Sequence, residues 1–168
     1  MLGKVSLNPL EKTLQFFEQK FFPEISAHQT LPSTEGSFSP FPENMHGDIQ
    51  GILRETGIDS LYSHQADAFQ KIKKGDHTVI VSQTASGKTL SFWLPILDEY
   101  LKASYPFSVL LLYPTKALSR DQEGTLNKLM DGIVSERKLG TFDGDTPREE
   151  RSLLQRSADF ILTNPDML

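Results

Sequence analysis

From Gly57 onward, short apolar runs alternate with stretches of helical periodicity, and no other feature constrains the fold as tightly. The runs are His77–Ser82, Phe107–Tyr113, Lys138–Phe142 and Asp159–Thr163. The first is β-branched and lacks polar alternation, which predicts a strand buried on both faces of a parallel sheet; the second reads as another buried strand. Around and between the runs, Ser63–Lys74, Lys88–Ala103, Lys116–Glu136 and Pro147–Arg156 predict helices. Pro95 should kink the second of these, and Gly124 and Gly132 weaken the third. Pro147 occupies a first helical position, which suits a residue without an N–H. Short strand–helix–strand connections give right-handed crossovers, hence an α/β, doubly wound parallel sheet covered by helices. Ligands of such sheets sit beyond the carboxyl ends of the strands.

Residues 1–56 differ in texture and are expected to form a helical and extended appendage to an α/β domain over 57–168. Glu11–Phe22 sets Leu14, Phe17 and Phe21 on one stripe, with Phe16 and Phe22 beside it. This predicts a helix packed on a core, with a partner-binding helix as the alternative. Leu31–Pro42 holds three prolines and four Ser/Thr, so it reads as extended chain anchored by Phe38 and Phe41. Asp48–Thr56 predicts a short helix capped by Asp48 and ended by Gly57.

Composition removes several function classes. The net charge of −5 excludes a bulk-basic nucleic-acid binder, so any such contact must come from a local cluster or from backbone amides. The absence of cysteine excludes disulfides, thiolate metal sites and a Cys nucleophile. His28, His46, His64 and His77 are scattered without metal-ligand spacing. No apolar run reaches the ~18 residues of a membrane span. Asn8, Pro9, Glu11 and Lys12 interrupt any signal-peptide core, so a cytoplasmic protein without membrane contact is expected.

The chemistry is concentrated in Ser82-Gln83-Thr84-Ala85-Ser86-Gly87-Lys88-Thr89, which follows the first run and opens a helix. It departs from the strict phosphate-loop pattern only in placing Ser82 where glycine usually stands. In such a loop the backbone N–H groups converge on phosphate oxygens, and the helix N-terminus adds its positive dipole end. Gly87 permits close approach, Lys88 supplies a point charge at the β- and γ-phosphates, and the Thr89 hydroxyl can ligate Mg²⁺. An unrelated strand–helix turn could carry Gly-Lys-Thr by accident; the buried run before it and the helix after it favour nucleotide binding. Three further loops, Tyr113–Leu118, Phe142–Pro147 and Thr163–Asp166, close the other runs with Thr hydroxyls and amides at helix starts. Lys116, Arg120 and Arg148 add cations on the same rim. Helix capping accounts for each loop taken singly, whereas three on one edge point to a phosphate-bearing ligand.

Leu61-Tyr62-Ser63-His64-Gln65, Thr84-Ala85-Ser86-Gly87-Lys88-Thr89, Pro114-Thr115-Lys116-Ala117-Leu118, Asp143-Gly144-Asp145-Thr146-Pro147 and Thr163-Asn164-Pro165-Asp166-Met167-Leu168 together resemble a known family. They are similar to the first RecA-like domain of superfamily 2 DEAD/DEAH-box helicases, in the wording of the Hrq-type and mitomycin-repair DNA helicases. The resemblance covers about residues 38–168. It implies an ATP site formed by Tyr62, Gln65, Thr84, Ala85, Ser86, Gly87, Lys88 and Thr89, with Gln65 reading adenine. Lys88 and Thr89 would be the catalytic residues of this segment, and Thr89 the Mg²⁺ ligand. Nucleic acid, single-stranded DNA foremost, would track over Pro114, Thr115, Lys116, Arg120, Gly144, Asp145, Thr146, Arg148, Thr163 and Asn164. The activity implied is 3′-to-5′ DNA unwinding in repair. Gln65 as a plain helix cap, a DEAD-box RNA helicase and a non-catalytic nucleotide-binding fragment stay open as alternatives. The family's Walker B acid and second RecA-like domain fall outside these residues, so the segment alone is expected to show no turnover and to associate through an open sheet edge.

Overall fold

The computed structural model describes residues 9–25, 27, 36–83, 86–131, 133–134 and 138–168. Thr84 and Ala85 of the phosphate loop, and residues 31–35 of the expected extended stretch, lie outside the described residues. The chain divides into two compact units, one ending at Glu35 and one spanning Gly36–Leu168. Residues 36–56 fall in the second unit.

The first unit contributes helix α1 (Pro9–Phe21), in which no residue is buried. Leu10, Leu14, Phe16 and Phe17 are all exposed, with the Phe17 and Phe21 rings 5.6 Å apart. Periodicity marks an apolar face without specifying what covers it.

In the second unit, α2 (Gly47–Glu55), α3 (Ser63–Lys73) and α4 (Lys88–Lys102) precede α5 (Lys116–Met130) and α6 (Arg148–Ser157). Strands β1 (Phe38–Ser39) and β2 (Leu61–Tyr62) form a small antiparallel pair. Strands β3 (Val109–Leu112), β4 (Leu139–Phe142) and β5 (Phe160–Thr163) form a parallel sheet in the order β3-β5-β4. This is the expected α/β class, with β5 inserted between the two strands that precede it. Helix α2 is capped by His46, whose Nδ1 accepts the Asp48 amide at 3.3 Å; Asp48 itself stands one position inside the helix start, not at the cap.

The core joins Ile49 and Leu53 of α2, Phe69 of α3, and Trp93, Leu94 and Leu97 of α4 to Leu111, Phe160 and Leu162 of the sheet. The helical residues recur at three- and four-residue intervals, which keeps them on one face of each helix. Gly140 of β4 lets α6 approach closely, since a Cβ there would lie 2.5 Å from Leu154 Cδ2. An ion cluster fastens the helices. Asp98, fully buried, bonds Lys73 Nζ at 2.9 Å, Lys102 Nζ at 2.8 Å and the His46 amide at 2.7 Å.

Two strand expectations are corrected. Residues 77–83 pair with no strand among the described residues. Thr78, Ile80 and Ser82 are half-buried, whereas Val79 and Val81 are 88% and 91% exposed. On β3, Leu111 is buried while Leu110 and Leu112 are exposed, so only one face of that strand is covered. A β-branched run expresses a preference for extended chain, but ladder bonds require a neighbouring strand. Among the described residues, β3 finds its partner on the β5 side alone.

Candidate functional site

The described residues of the loop at 82–89 bond to one another. Gly87 has φ +76°, the left-handed region that glycine enters without strain, and it introduces α4. The Ser82 and Ser86 hydroxyls are 2.5 Å apart, tying the two ends of the loop. Lys88 Nζ donates to the Ser82 carbonyl at 3.0 Å and to the Gln83 carbonyl. The ammonium thus folds back across the loop, and the neutral carbonyls it touches are weaker partners than a phosphate would be. Thr89, half-buried in the first turn of α4, supplies one hydroxyl oxygen. No group of three or more His, Asp or Glu is assembled for a metal among the described residues. One hydroxyl nevertheless fits Mg²⁺, which commonly takes one or two protein oxygens beside phosphate and water.

Gln65 reaches this loop from α3. Only 3% exposed, it accepts the Tyr62 amide at Oε1 (2.9 Å) and donates from Nε2 to the Gly87 carbonyl (2.9 Å). The first bond is the helix-capping role that the sequence left open, and the second joins α3 to the phosphate loop. A Cβ at Gly87 would lie 2.5 Å from Gln65 Nε2. Gly87→Ala therefore meets both a backbone penalty and a clash. We expect it to cost ~1–3 kcal/mol of stability and to displace Gln65, which urea unfolding and nucleotide titration would read. Beside this contact lies a cleft of about 470 Å³ lined by Phe38, Ile58, Asp59, Tyr62, Gln65 and Gly87. Phe38 and Tyr62 stack with centroids 4.8 Å apart, and Tyr62 and His64 stack at 5.6 Å. Phe38 and Asp59 were not singled out as site residues by the sequence. Only Phe38, as an aromatic in a Pro/Ser-rich stretch, left a signal.

The carboxyl ends of the three parallel strands carry Pro114 and Thr115, Gly144 to Thr146, and Thr163 and Asn164. Their loops form one bonded unit. Ser119 Oγ donates to the Thr163 carbonyl at 3.3 Å, and Thr163 Oγ1 to the Phe142 carbonyl at 2.5 Å. Arg120 reaches Asp143 at 3.1 Å and Asp145 at 3.4 Å, while Lys116 reaches Asp145 at 3.2 Å. Thr115 caps α5 by accepting the Leu118 amide at 3.3 Å. Pro114 and Arg148 are exposed.

Several expected ligand groups are already engaged. The amides of Asp145 and Thr146 both donate to Asp143 Oδ1, at 2.8 and 3.1 Å, so they are not free. The Thr146 hydroxyl donates to the Thr141 carbonyl at 3.0 Å. Thr163 and Asn164 are 2% and 5% exposed, and the Thr163 hydroxyl links β5 to β4 instead of lining the rim. Asn164 Oδ1 and the Tyr113 hydroxyl, at the ends of adjacent strands, lack partners among the described residues. Burial pushes the Tyr113 phenol up to about 12, so it stays protonated at neutral pH.

Asp143 organises the turn. Burial raises its carboxyl pKa, but the Asp145 amide, the Thr146 hydroxyl and Arg120 together hold it below the ordinary value. Arg151 completes the turn by donating to the Thr146 carbonyl at 2.7 Å and the Gly144 carbonyl at 2.8 Å. Sequence reasoning missed both residues as positioning groups. The Asp-x-Asp-Thr spacing, a local side-chain-to-amide pattern, was the available signal for Asp143.

Residues 62–168 match the DEAD/DEAH box helicase family. The chain is similar to the uncharacterized ATP-dependent helicase YprA of Bacillus subtilis (strain 168), with 40% identity over 149 residues, covering 86% of this chain and 19% of that protein. It is 34% identical over 145 residues to the ATP-dependent helicase hrq1 of Schizosaccharomyces pombe, covering 84% of this chain and 14% of that protein. The fold is similar to a crystal structure of the DUF1998 helicase MrfA bound to DNA and AMPPNP, at TM-score 0.77 and 39% identity over 82% of this chain and 19% of that one. The chain spans about a fifth or less of the length of these relatives. With the family matched over residues 62–168, most of the chain, the chain belongs to the DEAD/DEAH box helicase family.

Proposed function

We propose that these residues form the ATP-binding part of a helicase that unwinds DNA 3′-to-5′ in repair, with a second RecA-like domain as its partner. The bond between Gln65 and the Gly87 carbonyl carries the reading, because it couples a base-edge donor and acceptor to a phosphate loop beside an aromatic cleft. The adenine would lie in that cleft near Phe38 and Tyr62, and the triphosphate would lie along residues 82–89, Thr84 and Ala85 included. Lys88 Nζ would exchange the carbonyls of Ser82 and Gln83 for β- and γ-phosphate oxygens. Thr89 would hold Mg²⁺, which supplies charge neutralisation at the phosphates. The resemblance in motif wording and the similarity to MrfA, solved with DNA and AMPPNP, support DNA as the nucleic acid.

The bonds to the Tyr62 amide and the Gly87 carbonyl use one lone pair and one N–H of Gln65, which leaves the second N–H to donate to adenine N7 and the second lone pair to accept from its 6-amino group. Gln65→Ala is accordingly expected to narrow the gap between ATP and GTP affinity by about 10-fold, the scale of one hydrogen bond of ~1–1.5 kcal/mol. Competition titration with the two nucleotides measures this. Full retention of ATP preference would leave Gln65 with its capping role alone. Competition between DNA and RNA strands of one sequence tests the choice of nucleic acid.

A further inference from the structure

Asp145 sits between two cations that the nucleic-acid reading requires. Its Oδ1 accepts from Lys116 Nζ at 3.2 Å and its Oδ2 from Arg120 Nη2 at 3.4 Å, with the side chain 62% exposed. It differs in this from Asp143, two residues before. The Asp143 carboxylate is buried and bonds two amides of the turn, so the turn depends on it. The Asp145 side chain makes no bond inside the turn. Only its backbone amide does, and substitution leaves that amide in place. Arg151 holds the Gly144 and Thr146 carbonyls independently. The two loops are already close, since a Cβ at Gly144 would come within 3.1 Å of Lys116 Nζ.

A carboxylate bridging a lysine and an arginine uses the same charged hydrogen bonds that a phosphodiester would use. An exposed pair of this kind is weak enough to exchange. We propose that Asp145 is a built-in competitor for backbone phosphate: in the free protein it occupies Lys116 and shares Arg120 with the buried Asp143, and a nucleic-acid strand binds this rim by displacing Asp145. The inference rests on the nucleic-acid reading above and concerns how that rim is regulated. Such a competitor keeps the contact loose and reversible, which suits a strand that has to move across the surface.

The test is fluorescence anisotropy of a labelled oligo-dT strand with the full chain over a series of KCl concentrations. Asp145→Asn and Asp145→Ala are both expected to bind about 3- to 10-fold more tightly at low salt, the scale of removing one charge near two cations in a water-exposed setting. The salt slope should steepen by about 0.7 for each further phosphate that the freed cations neutralise. Glu149→Gln, at the exposed start of α6, changes net charge equally without touching either cation and serves as the control. An equal gain from Glu149→Gln, or no gain from either Asp145 variant, overturns the competitor role. Lys116→Ala separates the two levels of the argument. Weaker binding by that variant upholds the rim as the binding surface whatever Asp145 does, whereas unchanged affinity overturns the surface and the competitor together.

Discussion

Replacing Asp98 by alanine is expected to destabilise the fold by ~3–5 kcal/mol, the usual cost of removing one partner from a buried ion cluster. The substitution leaves Lys73 and Lys102 without their shared carboxylate, and the His46 amide without an acceptor. Those groups belong to three different helical segments, so the loss should appear as a lower urea midpoint with little change in slope. Asp98→Asn keeps an oxygen for the His46 amide and should lose less. The cluster also sets a pH dependence. Burial raises the Asp98 carboxyl pKa, but bonds from Lys102, Lys73 and the His46 amide outweigh it and leave the folded value below 3.8. A depressed carboxylate stabilises the fold above its unfolded pKa. That contribution is present above pH 3.8 and is lost as pH falls through the folded value. Lys73 behaves in the opposite sense. Burial lowers its pKa, but bonds to Glu99 and Asp98 raise it above 10.5 overall. Its contribution is complete below pH 10.5 and is lost as pH rises through the folded value. A loss below 1 kcal/mol for Asp98→Ala would mean the cluster is not the fastening it resembles.

The second large effect concerns Lys88. Lys88→Ala is expected to weaken ATP binding about 100-fold, the upper range of one charge-assisted hydrogen bond of ~1.5–3 kcal/mol. Isothermal calorimetry with Mg²⁺ and AMP-PNP measures it. Stability should change little, because among the described residues the bonds of Lys88 go to Ser82, Gln83 and Ser86 of its own loop. That pairing of a large binding loss with a small folding change separates a ligand-directed lysine from a structural one.

The helices and the parallel strands were legible because their signals are local. Gly75 and Gly57, with φ of +87° and +83°, end α3 and α2 where the sequence placed them. Helix α4 opens directly after Gly87 because that residue is free to adopt the turn. What was not legible depends on partners distant in sequence. His77–Ser82 has the composition of a buried strand, yet Val79 and Val81 face outward because no neighbouring strand covers them among the described residues. Asp98 of α4 carried no signal in the sequence that set it apart. Its burial depends on Lys73 and His46, 25 and 52 residues away. On the rim, the sequence identified the loops but not their internal bonding. Asp143 looked like a neighbour of the ligand-binding groups and is instead the residue that consumes their amides. Thr163 looked like an exposed hydroxyl and is a link between strands. Motif wording named the candidate residues, while their bonding to one another had to come from burial and hydrogen bonds.

The central claim is that adenine lies beside Gln65 with its phosphates on the loop at 82–89, and photolabelling with 8-azido-ATP tests it most directly. After irradiation and proteolysis, the label should fall on peptides containing Phe38 or residues 57–65, which line the cleft. Excess ATP should suppress it, and Lys88→Ala should reduce it. Labelling spread over unrelated peptides, or labelling of the cleft that neither excess ATP nor Lys88→Ala diminishes, would contradict the account.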